Sequence, residues 1–359
     1  MPELQGLGHD QAIAELRRRL MPAFATVGLW VLGGLVLGAA ATALARTYAL
    51  RRQLIDHPGE RRSHTSATPR GGGVSIVVVL LAALAVSMSA VPGHAGAAGL
   101  AGAGLLLVAG IGWVDDHRPL PALPRLGTHV LAAALLAWAL LIAGGSGLDA
   151  ATAFFAAVVL TNVWNFMDGI DGIAAAQATV VALAYALFAG QGPVFWLGLA
   201  LVAASCGFLP FNFPRARIFL GDVGSGTLGY ALAGLLALGS LQQEWGTRIL
   251  LLFPLLPFLL DTTLTLLARI VRGEAWWLPH IQHAYQAWAR ARGGHAGVTL
   301  AYAGAALATV LAMFAMRSWS STVIMATYLT FLLAGGLAWK RLRGFTAGKG
   351  PNSLRDRKP

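Results

Sequence analysis

The chain is short of charge: only 11% of its 359 residues are Asp, Glu, Lys or Arg, against about a quarter in an ordinary soluble domain. That shortage excludes a water-solvated globular enzyme, whose surface needs more charge than this. Cysteine is almost missing. Cys206 stands alone in an apolar stretch, which excludes a disulfide framework and a thiolate metal site. No clean cleavage site follows the first apolar run, so that run reads as a retained helix and not as a signal peptide. No internal repeat is visible, which weighs against a transporter built from inverted halves. There is no separable soluble domain either.

What is present is apolar. Hydrophobic residues make up 57% of the chain, and the mean hydropathy is +0.66. Runs near 20 residues recur, about the length that crosses a hydrocarbon core. The expected fold is therefore all-α, a polytopic integral membrane bundle of about 11 transmembrane helices. The expected spans are 22–45, 72–91, 97–114, 127–144, 150–166, 173–189, 193–211, 223–240, 247–268, 297–316 and 320–339. The 44 glycines suit close helix packing in lipid. The net charge of +11 invites a nucleic-acid reading, but the cations lie in short loops beside apolar runs, where they set topology. Alternating sides places 21 of the 26 Lys and Arg on one face. The positive-inside rule makes that face cytoplasmic, with the N-terminus periplasmic and the C-terminus cytoplasmic. The domain plan is then a periplasmic segment 1–21 and a single catalytic bundle 22–339. Its cytoplasmic loops are 46–71, 115–126, 167–172, 212–222 and 269–296, and a basic cytoplasmic tail, 340–359, follows.

The acids sort to the same face, and carboxylates beside a bilayer are expensive enough to imply function. Asn162, Asn165, Asp168 and Asp171 recur at spacings of three, with Gly169 and Gly172 leaving room for a ligand. The two Asp are expected at the start of a helix, facing one side. Asp115 and Asp116 are adjacent carboxylates, which repel unless a cation, a shared proton or solvent relieves them. Asp222, in Gly-Asp-Val-Gly-Ser-Gly, offers an oxygen ligand suited to Mg²⁺, or to Mn²⁺. Phe219 lies one turn before it, placed to stack on a base or to anchor at the interface. Arg62, His64 and Arg70 belong to a basic loop that ends in three glycines, and forked arginine donors suit phosphates. His280 and His283, at i and i+3, could bind a metal but have no third ligand nearby, so His283 is assigned to phosphate. Asp261, inside the ninth span, reads as a structural acid.

Together these strings, from about Asp56 to Gln286, resemble the polyprenyl-phosphate N-acetylhexosamine-1-phosphate transferases. That superfamily includes the phospho-muramoyl-pentapeptide transferase and the enzymes that start O-antigen. The resemblance implies that Asp222 ligates Mg²⁺ with Asn165, Asp168 and Asp171 shaping the metal and nucleotide site. It makes Asp115 and Asp116 the paired acids, Phe219 the aromatic that stacks on uracil, and His283 the first histidine of the cytoplasmic motif. The implied substrates are undecaprenyl phosphate and a UDP-amino sugar, with membrane lipid as surroundings, no nucleic acid, and a homodimer left open. Where many relatives carry a further His-His pair, this chain has Tyr285 and Gln286. That variant resembles the subgroup using N-acetylated 6-deoxyhexosamines and turns the expectation away from the peptidoglycan substrate. The implied reaction yields a lipid-linked amino sugar for O-antigen or another lipopolysaccharide or surface polymer, with UMP leaving. A phospho-aspartyl step on Asp116 is the alternative route. The implied sugar is N-acetylglucosamine or a 6-deoxy amino sugar, with the phospho-muramoyl-pentapeptide transferase of peptidoglycan synthesis as the alternative and a transporter or an intramembrane prenyltransferase as more distant ones.

Overall fold

The computed structural model describes residues 9–59, 66–90, 92–275, 278, 280–292 and 294–347. Arg62 and His64 lie outside them. The described chain is almost entirely helical: α1 His9–Arg51, α2 Val74–Ala90, α3 Ala95–His117, α4 Ala122–Ile142, α5 Gly147–Met167, α6 Ile173–Ala189 and α7 Pro193–Asn212. It continues with α8 Asp222–Gly239, α9 Trp245–Leu250, α10 Leu256–Val271, α11 Ala284–Arg292, α12 Ala296–Ala315 and α13 Ser321–Ala347. Eight helical stretches among the described residues are long and apolar enough to cross a membrane. The fold is an all-α, multi-pass membrane bundle. Helices α2 and α6, at 17 residues each, rise only about 25 Å at 1.5 Å per residue, less than a full hydrocarbon core.

Three sequence expectations change. The ninth span is not one helix: Pro254 and Pro257 break it into α9, a 3₁₀ turn Phe253–Leu255, and α10, because a proline ring removes a donor and crowds the preceding turn. The 269–296 segment, expected as loop, contains α11. Asp168 and Asp171 do not start a helix. They lie in the link between α5 and α6, which Gly172 closes with a φ of +76°, a left-handed turn that glycine takes at no steric cost.

Helix α8 runs through the centre, packed on α3, α5 and α6. The rim is made by α1 and α13, which bury only 11% and 6% of their most apolar stretches and turn Leu29, Leu44, Leu333 and Leu337 outward. Outward leucines on this scale suit lipid, not water. The central packing depends on missing side chains. A Cβ on Gly73 would strike the backbone of Gly224, and one on Gly112 would strike the backbone of Asp222 and Val223. Glycine at both places lets α2 and α3 close onto the first turn of α8.

That closure is tied by hydrogen bonds. Strand β1 (Ile55–Asp56) pairs antiparallel with β2 (Thr68–Pro69). The β2 segment then grips the stretch before α8: Phe219 N donates to Pro69 O at 2.7 Å, Gly72 N to Phe219 O at 2.9 Å and Gly73 N to Leu220 O at 2.8 Å. The basic loop and the Gly-Asp-Val-Gly-Ser-Gly string are thus one unit.

Candidate active site

Where α3 and α5 end and α8 begins, six carboxylates gather: Asp56, Asp115, Asp116, Asp168, Asp171 and Asp222. Asp116 caps α8 from another helix. Its Oδ1 accepts from Asp222 N at 2.9 Å and its Oδ2 from Val223 N at 3.2 Å, where the helix dipole favours negative charge. Gly221, at φ +76°, makes the turn into α8 against that carboxylate. Arg70 completes the cap, with Nε and Nη2 at 3.0 and 2.7 Å from Asp116 Oδ1. The Asp116 side chain is 1% exposed. A nucleophile needs an open lone pair, so a phospho-aspartyl step on Asp116 would have to break these bonds first.

Arg125 is the second cation, and sequence reasoning passed over it as one of two charges in a loop. It stands in the first turn of α4 and bridges three groups. Nη1 lies 3.1 Å from Asp115 Oδ2 and Nη2 lies 2.8 Å from Asp222 Oδ2. Nη2 also donates to Asn165 Oδ1 at 3.0 Å, and Asn165 Nδ2 donates to Ser225 Oγ at 3.1 Å. The signal was available: a lone arginine at the start of an apolar helix opposes the dipole, so it needs acidic partners. Asp115 is turned to Arg125 and to Leu120 N, at 2.6 Å.

Asp168 and Asp222 line one cavity of about 250 Å³, with Arg70, Gly169, Asp171, Phe219 and Gln286 also in its wall. Phe219, Asp171 and His295 form the boundary with a larger chamber of about 490 Å³, which Arg215 and Arg290 also line. Asp171 is held by its surroundings: Oδ2 accepts from Ala216 N at 3.2 Å, Oδ1 lies 3.3 Å from His295 Nδ1, and its carbonyl accepts from Thr299 at 2.8 Å.

Asp115, Asp116 and Asn165 stand behind Asp222 and outside both cavity walls, tied to it through Arg125 and the α8 cap. Two further assigned residues lie apart from that network. Asn162, one turn deeper in α5, donates to Val158 O at 2.8 Å and is outside both cavity walls. His283 is 2% exposed, packed under Phe166 and 3.6 Å from Asp261. It does not line either cavity, so in this structure it is not a phosphate anchor. Gln286, noted in the sequence only as a departure, takes the cavity-facing place because α11 turns that side inward.

A divalent cation has to be tested against this donor set. Among the described residues no three His, Cys, Asp or Glu side chains form a ready cage for a metal. Mg²⁺ does not require one, since it keeps several waters and leans on one or two carboxylates plus substrate phosphate. Asp222, 22% exposed at the cavity wall, and Asp168 opposite it suit that demand. The Asp168 carboxyl is pushed up to about 8, first by burial and then by the Asp222 and Asp116 carboxylates. Burial is the larger cause, and the neighbouring carboxylates add a smaller part that a bound cation would relieve. The residues present fit the ion.

Comparison with known proteins follows the same lines. Residues 97–240 match the model of glycosyl transferase family 4. Over 289 residues the chain is 34% identical to the decaprenyl-phosphate N-acetylglucosaminephosphotransferase of Mycobacterium leprae, covering 68% of this chain and 72% of that protein. It is 27% identical to the probable undecaprenyl-phosphate N-acetylglucosaminyl 1-phosphate transferase of Bacillus subtilis, over 68% of this chain and 73% of the relative. It is 32% identical to the phospho-N-acetylmuramoyl-pentapeptide-transferase of a Synechococcus strain, over 61% and 69%. The chain therefore belongs to glycosyl transferase family 4, within the superfamily of polyprenyl-phosphate N-acetylhexosamine-1-phosphate transferases.

Proposed function

We propose that this protein transfers an N-acetylated amino-sugar 1-phosphate from a UDP-sugar to undecaprenyl phosphate, with Mg²⁺ as cofactor. The observation that carries this is the Asp168–Asp222 cavity, flanked by Arg70 and opening past Phe219 into a second chamber. An acid-lined pocket with Arg70 in its wall, at the end of apolar helices, suits a cation and phosphates supplied from both water and lipid. An oxygen of the lipid phosphate attacks the sugar-linked phosphorus, and the bond from that phosphorus to the bridging oxygen breaks, releasing UMP. The two reactants repel, so charge neutralisation and in-line positioning dominate the barrier. Mg²⁺ held by Asp222, with Asn165 nearby, would supply that neutralisation.

The chain's own residues divide the remaining work. Arg70 offers a forked donor in the cavity wall, and Arg125 behind it holds Asp222 through its own fork. Asp116 fixes Asp222 at the head of α8, and Asp115 aims Arg125. Asp168 and Asp171 face the donor, and Phe219 is the aromatic placed for the base. N-acetylglucosamine is the first choice of sugar, as the relatives' names favour it, with 6-deoxy amino sugars second. The product would start O-antigen or another surface polysaccharide. The cavity would face the cytoplasm of a bacterial inner membrane, with eleven crossings and a periplasmic N-terminus.

The test incubates purified protein with undecaprenyl phosphate, Mg²⁺ and a panel of UDP-amino sugars, reading the lipid by mass spectrometry. A lipid pyrophosphate sugar with stoichiometric UMP is the expected product. Pyrophosphate release or unmodified lipid with every donor would sink the proposal, as would normal UMP release by Asp222→Asn. Orientation is checked with a membrane-impermeant thiol reagent on Cys206→Ala protein carrying Arg215→Cys, which should be labelled only from the cytoplasmic side.

A further inference from the structure

Asp261 is a carboxylate inside an apolar helix, 2% exposed, and burying it is costly unless several donors compensate. Four do. Ala284 N donates at 2.8 Å, Tyr285 N at 3.0 Å, the Tyr302 hydroxyl at 2.7 Å and Thr265 Oγ1 at 3.2 Å. These come from α10 itself, from the first two residues of α11 and from α12. The acid thus caps α11 from another helix and ties three elements together.

What α11 carries then matters. The Tyr285 hydroxyl donates to Phe166 O at 3.0 Å, at the end of α5, and the ring packs so closely over Gly169 that a Cβ there would strike its oxygen. The neighbouring Gln286 lines the carboxylate cavity. Asp261 itself touches neither cavity.

We propose that Asp261 is a positioning residue for donor binding: it seats α11, and through α11 holds Gln286 in the cavity wall and Tyr285 against the Phe166–Gly169 turn. The donor half of this statement rests on the proposed function, whereas the seating half does not. An asparagine at 261 keeps one good acceptor and loses the charge, so one of the two α11 amides is released.

Hydrogen exchange on the purified full-length protein reads the seating without turnover. In Asp261→Asn, exchange at one or both of the amides of residues 284 and 285 should rise at least about tenfold, while α6 and α8 keep their protection. Kinetics read the consequence. The donor KM of Asp261→Asn and of Gln286→Ala should each rise roughly tenfold, with kcat within about twofold, and the double variant should be no worse than the worse single. Tyr302→Phe should move both readouts in the same direction by less, and it carries the test if Asp261→Asn fails to fold. Unchanged exchange at 284–285 in a folded variant would overturn the seating. Multiplying KM defects would overturn the coupling to Gln286. Wild-type protein that transfers no sugar would instead remove the donor reading and leave the exchange result standing.

Discussion

Replacing Arg125 gives the sharpest test of the site, because one guanidinium meets two carboxylates and an amide there. Arg125→Lys keeps the charge but presents a single ammonium, which cannot reach Asp115 and Asp222 in the same geometry. A hydrogen bond to a charged group contributes about 1.5–3 kcal/mol when buried. The Arg125 side chain is 25% exposed, so the low end of that range applies. Losing one carboxylate contact and the Asn165 contact therefore removes about 2 kcal/mol, or roughly 30-fold in rate if the fork holds Asp222 during transfer. Arg125→Gln loses both charged contacts, about 3 kcal/mol and on the order of 100-fold. The assay is initial UMP release at saturating donor, acceptor and Mg²⁺, on protein shown to stay folded at the assay temperature. The order wild type, Lys, Gln is the expected result. A lysine variant with full rate, or a glutamine variant no slower than the lysine one, would refute the reasoning.

Asp168 predicts a pH dependence. Its carboxyl titrates near 8 in the fold and near 4 in an unfolded chain. Between those values the native state holds the extra proton, so its ionisation cost makes stability fall as pH rises from about 4 to about 8. In chelator, Asp168→Asn should gain stability over wild type as pH approaches 8, and added Mg²⁺ should narrow the gap; parallel melting curves at all pH values would refute this. Asp116→Ala removes the α8 cap and the nearer carboxylate partner of Arg70, and should lower stability by about 3 kcal/mol, with Asp116→Asn milder. Loss of turnover with neither variant shifting its thermal midpoint in detergent would show that capping is not its role. Gly112→Ala drives a methyl into the α8 backbone and should cost about 1–3 kcal/mol along with most activity. A fully active, equally stable alanine variant would contradict the close approach of α3.

The helical membrane class was legible in the chain alone, since apolar run length is a local property that each segment carries whatever its neighbours do. The expected spans 173–189 and 193–211 coincide with α6 and α7 to within a residue for the same reason. The acids were legible too, because scarce carboxylates among lipid-facing residues stand out one at a time. Tertiary structure decided what each acid does. Asp116 and Asp222 are 106 residues apart, and the cap between them exists only because Gly73, Gly112 and Gly224 let three helices touch. Arg125 became a site residue, His283 turned into the protein, and Gln286 took the cavity wall for a related reason. Which side of a helix meets a cavity depends on its rotation and on the partner against which it packs, and no periodicity within one segment encodes that angle.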